Sequence, residues 1–429
     1  MVMSALKTSV HATTAGVFMP DAGAVAARLD ELGLVSDEAG MLTRLYLSPA
    51  HRKAINLVDG WMREAGMSTR LDGAATLIGR YEGTRTDAPA LLIGSHIDTV
   101  RNAGRFDGNL GVVSGIEVVR AFHAAGKRFP FAIEVVAFGD EEGVRFDSTL
   151  GGSRALAGTF DMNALDERDS NGVSRREALT AFGCDVSLID RSARTRRDTI
   201  GYVEVHIEQG PVLEMHNIPV GVVTAINGAS RGKFVLTGKA SHAGTTPMDL
   251  RKDALAAAAE IIVMVERYAH AEADLVATIG QIETPGGTIN TVPGLVRMTF
   301  DVRCPSDELR HNAVADILAN ARAIASSRKV AIDIDISHDA PASPCDERLS
   351  RALAQAVERC ELPLLTLSSG AGHDAMAFRG ILPFAMLFVR CRDGLSHHPD
   401  EYAAPQDIDI GVRVLAEFIQ TLHNQQVDK

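Results

Sequence analysis

The segment from Gly94 to Gly108, Gly-Ser-His-Ile-Asp-Thr-Val-Arg-Asn-Ala-Gly-Arg-Phe-Asp-Gly, lies between an apolar run, Ala90-Leu-Leu-Ile93, and a helical pattern that begins near Asn109. The apolar run reads as a buried strand. One His and two Asp therefore fall in a strand-to-helix connection, where open α/β sheets place their ligand sites. The rhythm continues: residues 110–125 carry Val112, Val113, Ile116, Val119 and Phe122 on one helical face, and residues 131–138 form another apolar strand. Such βαβ alternation predicts an α/β fold with a mostly parallel sheet flanked by helices. Helical periodicity covers 22–32 and 49–65, 75–81 is strand-like, 148–158 looks helical, and 161–197 is a polar, helix-rich excursion before a strand at 202–206.

Around Val220 the pattern changes. Strand-like stretches at 221–226, 233–237, 277–283, 296–303 and 330–336 enclose helices at 253–268 and 307–325, a unit expected to be an α+β sandwich of ferredoxin-like type. The α/β rhythm then resumes. We read one α/β domain, 1–223 and 339–429, interrupted by an inserted α+β domain at 224–338. Residues 1–16 read as a loosely ordered tail.

With 429 residues the chain can bury a large core. Its formal charge of −12, without any block of like charge, argues against a nucleic-acid or acidic-membrane partner. It leaves a small anionic substrate open, because one Arg can hold a carboxylate. The five cysteines are scattered, odd in number and lack any Cys-x-x-Cys, which excludes a zinc ribbon or disulfide scaffold and fits reduced thiols in a cytoplasmic protein. No signal-peptide pattern or membrane-length apolar run is visible, so a cytoplasmic location is expected.

Four more segments put ionisable groups just past strand ends: Gly139-Asp-Glu-Glu-Gly143, His206-Ile-Glu-Gln-Gly210, Ser369-Gly-Ala-Gly-His-Asp-Ala375 and Gly394-Leu-Ser-His-His-Pro-Asp-Glu401. Singly, each has an ordinary structural reading: a hydrogen-bonded His, a solvated acidic loop, a plain turn. Together, on one edge of one sheet, they point to a divalent-metal site with paired carboxylates, one binding metal and its neighbour moving protons.

These motifs, with ASHAGTTPM and the NTVPG…DVR pair, occur in an order that resembles the ureido-amidohydrolase branch of the dinuclear metallopeptidases related to aminoacylase and carboxypeptidase G. The likeness covers the chain after about Asp21. It implies two divalent ions per subunit: His96, His206 and a bridging Asp107 at one, and Asp107, Glu142 and His397 at the other. A mixed His, Asp and Glu set accepts Mn or Zn, with Co and Ni also compatible. Asp98 would orient His96, and Glu141 matches the general base that takes a proton from the attacking water and returns it to the leaving nitrogen. His398 occupies a variable position and reads as a surface residue.

The resemblance also implies that the inserted domain is a lid and dimerisation domain. His242 would reach the active site of the partner subunit in a homodimer and stabilise the oxyanion. Asn290 and Arg303 match the residues that hold the substrate carboxylate, while Gln209 and the Gly370–Gly372 turn match the remaining substrate contacts. Members of the branch cleave a ureido or amidino nitrogen near a carboxylate. The segment 141–158 looks most like allantoate amidohydrolases, so hydrolysis of allantoate to ureidoglycine, ammonia and carbon dioxide is expected. N-Carbamoyl-L-amino acids, 3-ureidopropionate and an inactive ligand-binding homologue remain the alternatives.

Overall fold

The computed structural model describes residues 20–427, so the tail expected at 1–16 lies outside the described residues. The strands Ala132–Phe138, Ala90–His96, Thr199–Ile207 and Phe384–Val389 lie side by side in that order and all run parallel. Antiparallel strands extend them on both sides. Leu77–Tyr81 and then Ser68–Leu71 add to one edge, and Val220–Ile226 and then Ser343–Pro344 to the other, with Thr366–Ser369 pairing parallel to Val220–Ile226. The sheet is thus parallel at its centre and antiparallel at its margins.

Side chains of the central strands alternate between two apolar layers, as the two-residue period of a strand requires. Leu91, Ile93, Ile133 and Val135 enter the layer packed by the helices Ala22–Gly33, Pro49–Glu64, Asn109–Ala124, Glu347–Arg359 and Pro405–Val427. Ala90, Leu92, Ala132 and Val136 enter the other layer, with Tyr202, Phe378 and Phe388. Burial on both faces explains why these strands read as continuous apolar runs.

The second sheet is antiparallel throughout. Its order is Ile282–Glu283, Leu295–Cys304, Gly228–Thr237, Ala331–Ala340, with Val276–Thr278 also on Leu295–Cys304. One face packs on the helices Ala254–Ala271 and Asp307–Ser327 through Phe234, Leu236, Val296, Met298, Phe300 and Val302.

The structure departs from the sequence reading in three respects. The strand 220–226 hydrogen-bonds only in the larger sheet and 331–340 only in the smaller, so the chain crosses at Asn227 and again at residues 341–342 rather than at 224 and 338. Residues 277–283 split into two strands, because Thr278 pairs with Asp301 and Ile282 with Met298; the extra residue on one side is a β-bulge. Ser68–Leu71 was not anticipated, since an edge strand alternating exposed and half-buried side chains lacks the apolar signal.

The excursion 161–197 delivers Arg175, fully buried, to the buried carboxylate of Asp140 beside the Gly139–Gly143 turn. Arg175 also donates to Ser148 Oγ at 2.7 Å and Glu167 at 3.0 Å. Removing one partner of a buried pair strands the other charge, at a cost of about 3–5 kcal/mol. Arg175→Met is therefore expected to lower the thermal unfolding temperature measured by calorimetry. Pairing it with Asp140→Asn should recover part of the loss.

Candidate active site

Because the four central strands are parallel, their C-terminal ends share one edge of the sheet. His96 ends its strand and pairs in register with Phe138, the residue before Gly139, while His206 pairs with Phe388. The segments after these strands therefore converge on one place.

At its centre is Asp107, 5% exposed. Its Oδ1 lies 3.3 Å from His96 Nε2 and 3.1 Å from His206 Nε2. Its Oδ2 lies 3.3 Å from His397 Nε2, and Glu142 Oε2 approaches the same His397 nitrogen at 3.5 Å. The ligand atoms of His96, Asp107 and His206 are within 4.8 Å of one another, as are those of Asp107, Glu142 and His397. One carboxylate thus joins two donor triads.

The hydrogen bonds decide which imidazole nitrogens carry protons. His96 Nδ1 meets the Asp98 carbonyl at 3.0 Å and His206 Nδ1 meets the Ile207 carbonyl at 2.9 Å. A carbonyl only accepts, so both Nδ1 atoms carry the proton, and in the neutral tautomer each ring turns a bare Nε2 toward Asp107. The Gly108 N–H donating to His206 Nε2 at 3.2 Å agrees with that tautomer. Two lone pairs facing a carboxylate oxygen repel it unless a cation lies between them. The residues present fit a divalent ion on those grounds, and Glu142 Oε1, buried without a hydrogen-bond partner, fits as well.

Charge crowding points the same way. Burial pushes Glu141 well above the usual carboxylate range, reinforced by Glu142 and Asp374 and opposed by His96. Burial, then the negative charge of Asp107, pushes Glu142 up to about 7. Asp107 goes the other way: burial would raise it, but its contacts with the imidazoles of His206, His397 and His96 hold it well below in the metal-free chain.

Glu141 Oε2 stands 4.0 Å from His96 Nε2, at the edge of the first triad. Asp98 orients His96 through its backbone carbonyl, and its carboxylate, 3.8 Å from His96 Nδ1, instead accepts the backbone N–H of Glu141 at 3.2 Å and of Glu142 at 3.3 Å. His398 is half-exposed and turns to Asp400.

Several supporting residues were not anticipated. Glu401 Oε1 accepts the backbone N–H groups of Phe106 and Asp107 at 2.9 and 3.1 Å, and Ser396 Oγ lies 2.8 Å from Asp107 Oδ2 and 3.0 Å from Glu401 Oε2, with one proton to give to either. Both lie in the 394–401 motif, which gave no sign of their targets. Arg44, wholly buried, donates to the Ile97 carbonyl at 2.5 Å and Asn109 Oδ1 at 2.8 Å, tying together the two ends of the opening segment. Glu204 joins Ser95 Oγ to the backbone N–H of Ala375 at 2.6 and 3.1 Å; a charged residue inside an apolar strand was the available signal. His373 packs its ring 4.5 Å from that of His206.

The residues expected to touch substrate are placed unevenly. Gln209 spends its amide N–H groups on Asp107 Oδ2 and Ser396 Oγ at 2.9 and 3.0 Å, so its structural contact is to the carboxylate shared by both triads. Arg303 reaches from the smaller sheet to the Gly370 carbonyl at 2.6 Å, one turn from Gly372 and His373. His242 and Asn290 sit together on a small exposed ribbon, where His242 pairs with Thr291 and the Asn290 carbonyl accepts from Ala243. Among the described residues neither hydrogen-bonds to the Asp107 cluster of its own chain.

A parallel-centred sheet with a two-triad carboxylate–imidazole cluster and a neighbouring buried carboxyl defines a metal-dependent hydrolase. The description "Peptidase family M20/M25/M40" matches residues 92–421, and the chain belongs to that family. It is 42% identical to an N-carbamoyl-L-amino acid amidohydrolase of Geobacillus stearothermophilus, over 92% of this chain and 97% of that one. It is 41% identical to allantoate deiminase 1 of Glycine max, over 92% of this chain and 88% of the other. A hydantoinase/carbamoylase family amidase from Burkholderia multivorans superposes with a TM-score of 0.89 at 31% identity, covering 94% of this chain and 98% of that chain. The chain is a hydrolase acting on C–N bonds. No helix among the described residues is long and apolar enough to cross a membrane.

Gly108 leaves no room beside the His96 ring. Its φ is +66° and an added Cβ would fall 2.5 Å from the His96 ring. Gly108→Ala should weaken metal binding by about 10- to 100-fold, the size of loss seen when ligand orientation is disturbed. Metal titration followed by elemental analysis measures this, and unchanged circular dichroism would show that the fold persists.

Proposed function

We propose that the chain hydrolyses a ureido C–N bond in a small carboxylate substrate, with allantoate as the first candidate and an N-carbamoyl-L-amino acid as the second. The observation that carries the reading is the shared Asp107 carboxylate, with Glu141 beside the first triad. Relatives named for each activity support the two substrates alike, at 41% identity for the deiminase and 42% for the carbamoyl amidohydrolase. The likeness of residues 141–158 to allantoate amidohydrolases sets the order between them.

His96, Asp107 and His206 would hold one divalent ion, and Asp107, Glu142 and His397 a second. Such ions supply Lewis acidity and make water easier to deprotonate. Glu141 then takes the proton of the attacking water and delivers it to the departing nitrogen, while Asp98 keeps the Glu141 backbone in place. Arg303 binds the substrate carboxylate. In this reading the inserted unit is a lid and dimerisation domain. His242 of the partner subunit, exposed in its own chain, supplies the donor to the developing oxyanion, and Asn290 travels with it on the ribbon. Lid closure over the substrate would exclude water. The free cysteines accord with a cytoplasmic setting.

Ammonia release from allantoate, N-carbamoyl-L-amino acids and 3-ureidopropionate tests this after metal-free protein is loaded separately with Mn, Zn, Co or Ni. Allantoate is expected to give the highest kcat/KM. Preference for a carbamoyl amino acid would move the assignment to the second substrate, and release from none of them would sink it. Glu141→Gln should lower kcat by about 10²- to 10⁴-fold, the usual worth of a general base, with metal content unchanged.

A further inference from the structure

The smaller sheet hides one face against its helices and turns the other toward the Ser369–Gly372 turn. On that open face, cross-strand pairing puts Arg231 directly opposite Asp301, with Thr278 on the far side of Asp301. Arg303 lies two residues along the same strand and so on the same face. These side chains line a cleft of about 740 Å³ that Gly370 closes from the larger unit. Through Gly370 the cleft adjoins the metal cluster: Ser369 Oγ is 2.8 Å from His373 Nε2, and the His373 ring packs on His206.

Asp301 holds Arg303 along the side of its guanidinium. Oδ1 accepts from Arg303 Nε at 2.9 Å and Oδ2 from Arg303 Nη2 at 2.8 Å, while Arg231 Nε donates to Oδ2 at 2.9 Å. Arg303 Nη1 donates to the Gly370 carbonyl at 2.6 Å. A guanidinium has five N–H donors. Three are engaged here, leaving one N–H on each terminal nitrogen available to a carboxylate. Arg303 loses rotamer freedom to this arrangement before any ligand arrives, which lowers the cost of binding. Burial would raise the Asp301 carboxyl, but the hydrogen bond and charge of Arg303 and the charge of Arg231 outweigh it and hold it low, so the clamp is ionic at neutral pH.

We propose that Asp301, itself held by Arg231, is a positioning residue that fixes the Arg303 guanidinium with its terminal nitrogens presented to the substrate carboxylate. This rests on Arg303 being the carboxylate site. Asp301 touches no substrate; it acts through Arg303. The paired arginines also leave the face cationic in a chain of net charge −12, which favours entry of an anion into this cleft.

The test is steady-state kinetics on the metal-loaded enzyme with whichever ureido carboxylate turns over, in the variants Asp301→Asn, Asp301→Glu, Arg303→Met and Asp301→Asn/Arg303→Met. Asp301→Asn is expected to raise KM at least tenfold with kcat at saturation within twofold, and Asp301→Glu to recover most of that KM. The double variant should be no worse than Arg303→Met alone. An unchanged KM in Asp301→Asn, a fall in kcat as large as that in kcat/KM, or additive losses in the double variant would overturn the role of Asp301 while leaving Arg303 as the carboxylate site. If Arg303→Met itself leaves KM unchanged, the carboxylate assignment falls, and the proposal falls with it.

Discussion

A single carboxylate, that of Asp107, is the joint on which this molecule turns. Buried among three imidazoles and a second acid, it could not remain charged in an apolar interior without compensation. The groups around it come from separate elements: His96 from one strand end, His206 from another, and Ser396 and His397 from the segment after Phe384–Val389, whose Glu401 accepts the Asp107 backbone N–H. Each contributor is fixed by the sheet or by a loop anchored to it. Strand register and the geometry of this cluster are therefore one constraint, since a slip of one residue in either strand would turn its His to the opposite face.

Much of this was legible in the sequence. Central parallel strands buried on both faces announce themselves as apolar runs, and His, Asp and Glu at their ends are the residue types metal chemistry needs. What escaped was the supporting layer. Glu401 and Arg44 work by meeting particular backbone groups, and nothing in local spacing says which N–H or carbonyl a distant side chain will meet. Gln209 shows the same limit from the other side: its position beside His206 was clear, but its partner, Asp107 Oδ2, belongs to another loop. The crossing points between the two sheets were also blurred, because 220–226 is apolar enough for either and only its pairing with Phe384–Val389 decides.

The excursion at 161–197 read from the sequence only as polar and helix-rich. Its Arg175 instead meets Asp140, a non-glycine residue at φ +71° in the turn that carries Glu141 and Glu142. A left-handed conformation is uncommon for an Asp and persists where surrounding contacts enforce it. The buried ion pair with Arg175 is such a contact, so the 161–197 segment helps hold the turn that carries Glu141 and Glu142.

Asp98 does two things at once with different atoms. Its carbonyl sets the proton on His96, and its carboxylate gathers the successive amides of Glu141 and Glu142. In the proposed function, ligand and base are consequently mounted on the same bracket. A shift of that bracket detunes both in step, so that variation at this position travels along a single axis on which metal affinity and proton transfer rise or fall together.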